Sequence, residues 1–175
     1  FVLEKATDIL YPTEINVRLL GSFPVFSMIQ HAVQQPLLQG LQILDSLDSD
    51  NYDLDVESLH QNIGYVRQGS QLNVYAKNKN ISYTNGSVLP GIYSVDEHTQ
   101  AVRYNRPGVV YEDIQSNNEF LVTGPLPYPG QVYKNHDFIC KIISKESISQ
   151  EMNRINPTTA MLVQYIYESL LFKEV

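Results

Sequence analysis

A single cysteine, Cys140, and four histidines are the only residues from which a thiol nucleophile could be assembled. A thiol becomes a nucleophile when a neighbouring imidazole or cation favours its thiolate. His136 stands four positions upstream, while His31, His60 and His98 are scattered. The surrounding run Phe138-Ile139-Cys140-Lys141-Ile142-Ile143 reads instead as a half-buried strand. Alternation places Cys140 on the apolar face with Phe138 and Ile142, where a free thiol serves as packing. No glycine-rich elbow or cysteine-protease signature surrounds it. Without a partner, Cys140 forms no intrachain disulfide, and the redox compartment stays open.

Carboxylates are the second source of chemistry. Asp45, Asp48, Asp50, Asp53, Asp55 and Glu57 fall in a stretch without Lys or Arg, and they supply most of the net charge of −7. Several such oxygens on a tight loop would suit calcium, and Asp48, Asp50, Asp53 and Asp55 are the candidate ligands. Asp48-Ser49-Asp50 opens like an EF-hand loop. The pattern then fails: Tyr52 stands at the third ligand position, Asp53 replaces the turn glycine, and Leu59 replaces the bidentate Glu. The favoured reading is a solvated link whose last acids complement the positive end of the following helix. No other cofactor is expected. His-Glu-x-x-His, Cys-x-x-Cys and Walker patterns do not occur, and Asp96-Glu97-His98 reads as a polar turn between strands.

Two further features concern contacts rather than catalysis. Gly124-Pro125-Leu126-Pro127-Tyr128-Pro129-Gly130 cannot sit in a central strand, and its prolines favour extended geometry. It would dock a partner's aromatic groove or, as the preferred reading, cover an edge of its own protein. Gln30, Gln34, Gln35, Gln39 and Gln42 give the N-terminal helices a neutral polar face, with no charged residue between Arg18 and Asp45. A neutral face is cheaper to desolvate than a charged one, and interface centres are depleted in charge. Gln30, Gln34 and Gln39 are therefore candidate contact residues. Tyr165 and Leu170, on an apolar C-terminal helix, join them, as do the general abundance of Tyr and the low charge.

The elements that must position these residues fall into three zones of one expected domain, 1–175. The first zone, 1–70, is mainly helical. It begins with a strand over Ile15–Leu19. A helix then follows, capped by Ser22 with Pro24 in its first turn and Val25, Phe26, Met28, Ile29, Ala32 and Val33 inward. Pro36 ends it. A second helix carries Leu37, Leu38, Leu41 and Leu44, and a third runs from Asp55 to a stop at Gly69. The second zone, 71–143, is β-rich. Strands are expected around Leu72–Tyr75, Ile81–Tyr83, Ile92–Val95, Ala101–Tyr104, Val109–Tyr111, Phe120–Val122, Gln131–Tyr133 and Phe138–Ile143. Asn85-Gly86 is the strongest hairpin signal. The third zone, 144–175, reads as a short helix over Ile148–Ile155, a break at Asn156-Pro157, and a final helix capped by Thr158 or Thr159.

The fold class that follows is α+β: N-terminal helices, a central antiparallel meander, sandwich or partly closed barrel, and C-terminal helices packed on the sheet. At 175 residues and 43% apolar content, the chain can bury a sizeable core without disulfide or metal. Its acidic balance argues against a nucleic-acid footprint, which needs clustered basic surface. The uncharged stretch Leu19–Leu44 holds five Gln, His31, Pro24 and Pro36, which excludes a membrane span. Asn80-Ile81-Ser82 and Asn85-Gly86-Ser87 are formal glycosylation sequons, too short to localise the chain. The chain opens on Phe1 rather than Met, as a processed or excised chain would.

The function expected from these features is that of a non-enzymatic structural or interaction subunit in a larger protein assembly. A viral shell, a phage particle or a secretion apparatus would be such an assembly, with copies of the chain or other protein subunits as partners. The alternative is a ligand-binding β-module assisted by calcium at the acidic loop 45–57.

Overall fold

A computed structural model describes residues 2–4, 9–11, 23–32, 40, 43, 55, 57, 69–77, 82–151 and 154–174. The strand expected at Ile15–Leu19 and nearly all of the second and third N-terminal helices lie outside them. At the N-terminus, β1 (Val2–Glu4) and β2 (Ile9–Tyr11) form a small antiparallel hairpin that the periodicity does not announce. Helix α1 follows at Phe23–Ala32, where Pro24 and the 3.6-residue spacing place it.

The centre is a mixed α and β arrangement built on an antiparallel sheet. The strands are β3 (Ser70–Tyr75), β4 (Ser82–Tyr83), β5 (Gly91–Asp96), β6 (Ala101–Arg106), β7 (Glu119–Thr123), β8 (Val132–Tyr133) and β9 (Phe138–Ser144). Five of them make one open sheet in the order β3-β9-β7-β5-β6, every neighbour antiparallel. This corrects the expected meander and partly closed barrel. β3 pairs with β9, far along the chain, and β3 and β6 are left as the two edges. Within this sheet, β5 and β6 form a local hairpin across the turn that carries Asp96-Glu97-His98. There the Asp96 carboxylate accepts the N–H groups of His98 at 2.9 Å and Thr99 at 3.2 Å.

Period-2 alternation sends side chains to both faces of this sheet. Tyr93, Val95, Phe120, Val122, Cys140 and Ile142 join Leu162, Ile166 and Leu170 in one core, beneath helix α2 (Pro157–Leu170). Ile92, Leu121 and Ile143 lie directly opposite one another across three strands and pack on Val25 and Ile29 of α1. A bulge in β9, where Val74 faces Cys140 but Tyr75 faces Phe138, turns Ile139 into the Cys140 core. Phe138 is displaced from that core, contrary to simple alternation, and meets Tyr75 edge-on at 5.8 Å.

Three local expectations are corrected by side-chain chemistry. Val109–Tyr111 is not a strand. The Asp113 carboxylate accepts the N–H groups of Val109 and Val110 at 2.7 and 3.0 Å, and the chain closes a 3-10 turn at Tyr111–Asp113. The stretch from Ile148 to Ile155 is not a helix: β10 (Ser149–Glu151) pairs with β11 (Arg154–Ile155). Ser147 and Ser149 hydroxyls bond local carbonyls there, offering the backbone an alternative to helical bonds. Helix α2 is capped by neither threonine. Asn156 accepts the Thr159 N–H at 2.7 Å, with Pro157 in the first turn. Asn156→Ala is expected to cost about 1 kcal/mol, read as a lowered midpoint in chemical denaturation.

The other end of α2 explains Asn85-Gly86. These residues turn no hairpin: β4 pairs with β8 and with β12 (Lys173–Glu174) in a small three-stranded sheet. Instead, the Asn85 and Gly86 N–H groups both donate to the Leu170 carbonyl at 3.1 Å. They satisfy an acceptor that the helix end leaves without an intrahelical partner.

Candidate binding groove

The edge strand β3 owes its form to alternation in Ser70-Gln71-Leu72-Asn73-Val74-Tyr75. Leu72 and Val74 turn toward the α2 core, and Tyr75 is exposed on the other face. There Gln71 donates to Asn73 at 2.9 Å, and Asn73 reaches the Tyr75 hydroxyl at 3.5 Å. The end of the strand is locked to the turn before β9. Ala76 N–H donates to Asp137 O at 2.8 Å, and His136 N–H donates to Ala76 O at 2.9 Å. On the side away from β9, no strand pairs with β3 among the described residues.

Beside β3 lies a groove of about 330 Å³, lined by Leu72–Lys77, His136, Ile155, Val163 and Tyr167. Tyr167 on α2 fixes one wall, because its hydroxyl donates to Tyr75 O at 2.5 Å and its ring sits 5.1 Å below the Lys77 ammonium. Burial raises the Tyr167 hydroxyl pKa, so it stays a donor in this bond. Apolar walls and a basic rim at Lys77 and His136 can hold an extended chain.

The other sheet edge differs. β6 carries exposed Arg103, and Pro107 follows it, features that discourage edge pairing. Its Arg106 reaches back into the protein. The guanidinium donates to Glu119 Oε1 and Oε2 at 2.6 and 2.8 Å and to Asp113 O at 2.7 Å. Glu119 also accepts from Asn105 at 3.1 Å and from Gln115 N–H at 2.8 Å. The Arg106 hydrogen bonds above all hold the Glu119 carboxyl down at about 2. The pair is a structural clamp on the loop between β6 and β7.

The residues singled out by type and spacing are dispersed. Cys140 is fully buried, and burial pushes its thiol up to about 12, the reverse of an activated nucleophile. Alkylation is accordingly expected to label Cys140 only after unfolding, and a native-state label found by mass spectrometry would contradict its placement. Asp48, Asp50 and Asp53 lie outside the described residues, while Asp55 and Glu57 are exposed. Among the described residues, no three His, Cys, Asp or Glu side chains gather to hold a metal ion. Gln34 and Gln39 lie outside the described residues. Gln30 is buried and Leu170 fully so, which takes their side chains away from any outer surface. Tyr165 is half-buried, its ring 6.0 Å from that of Tyr93.

The proline segment covers its own protein, as preferred. Leu126 packs on the α2 core and Pro127 is buried. Thr84 ties the segment down, donating from Oγ1 to Tyr128 O at 2.7 Å and accepting from Gly130 N–H at 2.7 Å. The β3 groove itself was not identified from sequence, because edge position depends on strand order. Its available signal was a strand of uncharged residues without proline, against the Arg-bearing β6.

Among the described residues, no helix is long and apolar enough to cross a membrane. In comparisons with protein-family models, curated proteins and solved structures, nothing matches this chain.

Proposed function

We propose that this chain is a non-enzymatic interaction subunit of a larger protein assembly, joined to a neighbouring subunit through the groove beside β3. Shells, phage particles and secretion machines are assemblies built from such subunits. The observation that carries the reading is the apolar groove lined by Leu72, Val74, Val163 and Tyr167 beside β3, a strand with no charged residue and no proline. Proteins that remain single usually guard an edge strand with charge, proline, a bulge or a cover. The apolar groove can accept side chains of an incoming segment.

The test is the molar mass of the protein recovered under mild conditions from the cells that make it, by light scattering over a concentration series. The expected mass exceeds the 19.9 kDa of one chain. It should fall to that value when Asn73→Glu places a charge on the edge. Asn73 stands opposite Lys141, so the new carboxylate gains a cross-strand partner and the fold is retained. A wild-type species recovered at one chain's mass, or a heavier species that Asn73→Glu leaves intact, would refute the reading.

A further inference from the structure

We propose that Asn85 is a latent modification site, a side-chain amide that converts spontaneously to an acid and that the docked end of α2 holds unconverted. The inference is independent of the assembly reading. In Asn85-Gly86 the following nitrogen can reach the side-chain amide, because glycine brings no side chain to hinder it. The Gly86 nitrogen attacks Asn85 Cγ, and the new C–N bond closes a five-membered imide. The Cγ–Nδ2 bond breaks, and the departing nitrogen takes up the Gly86 N–H proton and leaves as ammonia. Water then opens the ring at either carbonyl. One opening leaves an aspartyl residue, the other an isoaspartyl residue whose main chain runs through the former side-chain carbons.

Ring closure has to turn the Asn85-Gly86 peptide and release its N–H, and the fold opposes both. The Asn85 and Gly86 N–H groups each donate to Leu170 O at 3.1 Å, so the peptide is pinned at two points. Leu170 is fully buried, which fixes that carbonyl. Gly86 lies against the helix end, where a carbon added to its Cα would run into the Ser169 carbonyl oxygen. Nor does the fold admit the isoaspartyl product. It places one more main-chain carbon between the two nitrogens, which then cannot both reach the same oxygen. Its free carboxylate stands beside the negative end of the helix dipole. Conversion therefore runs when the end of α2 opens, and its product hinders re-docking. Phe172 meets Tyr133 edge-on at 5.9 Å, and β12 pairs with β4 just before Asn85. These contacts set how often the helix end opens.

The test incubates the full chain and a synthetic peptide of residues 82–88 in the same mildly alkaline buffer. Isoaspartate at position 85 is read by peptide mapping and mass spectrometry. The native chain should convert at least about tenfold more slowly than the peptide, because it must open first. Phe172→Ala, which loosens the helix end, should speed conversion by about threefold or more. Leu171 is exposed and holds a left-handed φ of 48° that glycine adopts without strain. Leu171→Gly should therefore slow conversion by about threefold. Thermal unfolding shows which variants are folded, and either one alone decides the point. The isoaspartyl chain, isolated by chromatography, should unfold at a lower temperature than Asn85→Asp, which adds the charge without the carbon. Conversion of the native chain at the rate of the peptide would overturn the inference. So would a rate that the folded variants leave unmoved, or an isoaspartyl chain as stable as Asn85→Asp.

Discussion

Replacing Glu119 by alanine is expected to lower the unfolding free energy by about 3–5 kcal/mol, the usual cost of removing one partner from a buried ion pair. The Glu119 side chain is only 8% exposed, whereas Arg106 is 31% exposed, so the loss should lie toward the lower end. Four hydrogen bonds to the carboxylate disappear together, from Arg106 twice, Asn105 and the Gln115 N–H. Of these partners Arg106 then keeps the Asp113 carbonyl. The loop between β6 and β7 should loosen before the sheet does.

The same group predicts an acid limb in stability. Its carboxyl is lowered from 4.5 to about 2 on folding. The unfolded chain therefore binds the proton more readily, and acid favours unfolding. That difference corresponds to about 3 kcal/mol, fully present above roughly pH 5 and lost progressively as the pH falls toward 2. Asp113 adds to this limb, because its bonds from Val110 and Val109 N–H also hold its carboxyl below the ordinary value. Denaturant titrations of wild type and Glu119→Gln from pH 6 to 2.5 should converge as the pH falls. Parallel curves would show that the clamp contributes nothing through ionisation.

Gly86→Ala should be about as damaging, at about 3 kcal/mol or more, as overpacking against an immovable neighbour. A Cβ on Gly86 would lie 1.8 Å from the Ser169 carbonyl oxygen and 3.0 Å from its carbon. Both are helix backbone, so no side chain can rotate aside. The helix cannot withdraw, because Leu162, Ile166 and Leu170 are fully buried beneath it. The segment cannot withdraw without giving up the two N–H bonds to Leu170 O. Ser87→Ala, one exposed position further on, is the control and should change stability by less than about 0.5 kcal/mol. Equal midpoints for the two variants would place the glycine elsewhere than against the helix.

Gly86 also shows how far sequence reasoning reaches. Asn85-Gly86 signals a turn in two-residue windows, and only the tertiary contact with α2 reveals that it serves a helix end. Elements governed by local rules are legible: α1 through Pro24 and its apolar spacing, the β5–β6 hairpin, the buried strand of Cys140, and the break at Asn156-Pro157. Where side chains compete for the backbone, periodicity misleads, as at Val109–Tyr111 and Ser149–Glu151. Strand order is not local at all. Nothing near Leu72 announces that β3 pairs with β9, so the candidate groove stays hidden although Leu72–Tyr75 reads correctly as strand and Val163 and Tyr167 as helix. The neutral glutamines and the abundant tyrosines point toward contact surfaces, yet Gln30 and Leu170 are buried. Gln34 and Gln39 lie outside the described residues.

The central claim, that a neighbouring subunit docks at the groove beside β3, is tested most directly by amide hydrogen exchange on the isolated chain and on the assembly recovered from its source. The N–H groups of the β3 segment should exchange at least about tenfold more slowly in the assembly, while β6 amides keep their rates. Unchanged exchange in β3, with protection appearing at β6 or on α2 instead, would contradict the account.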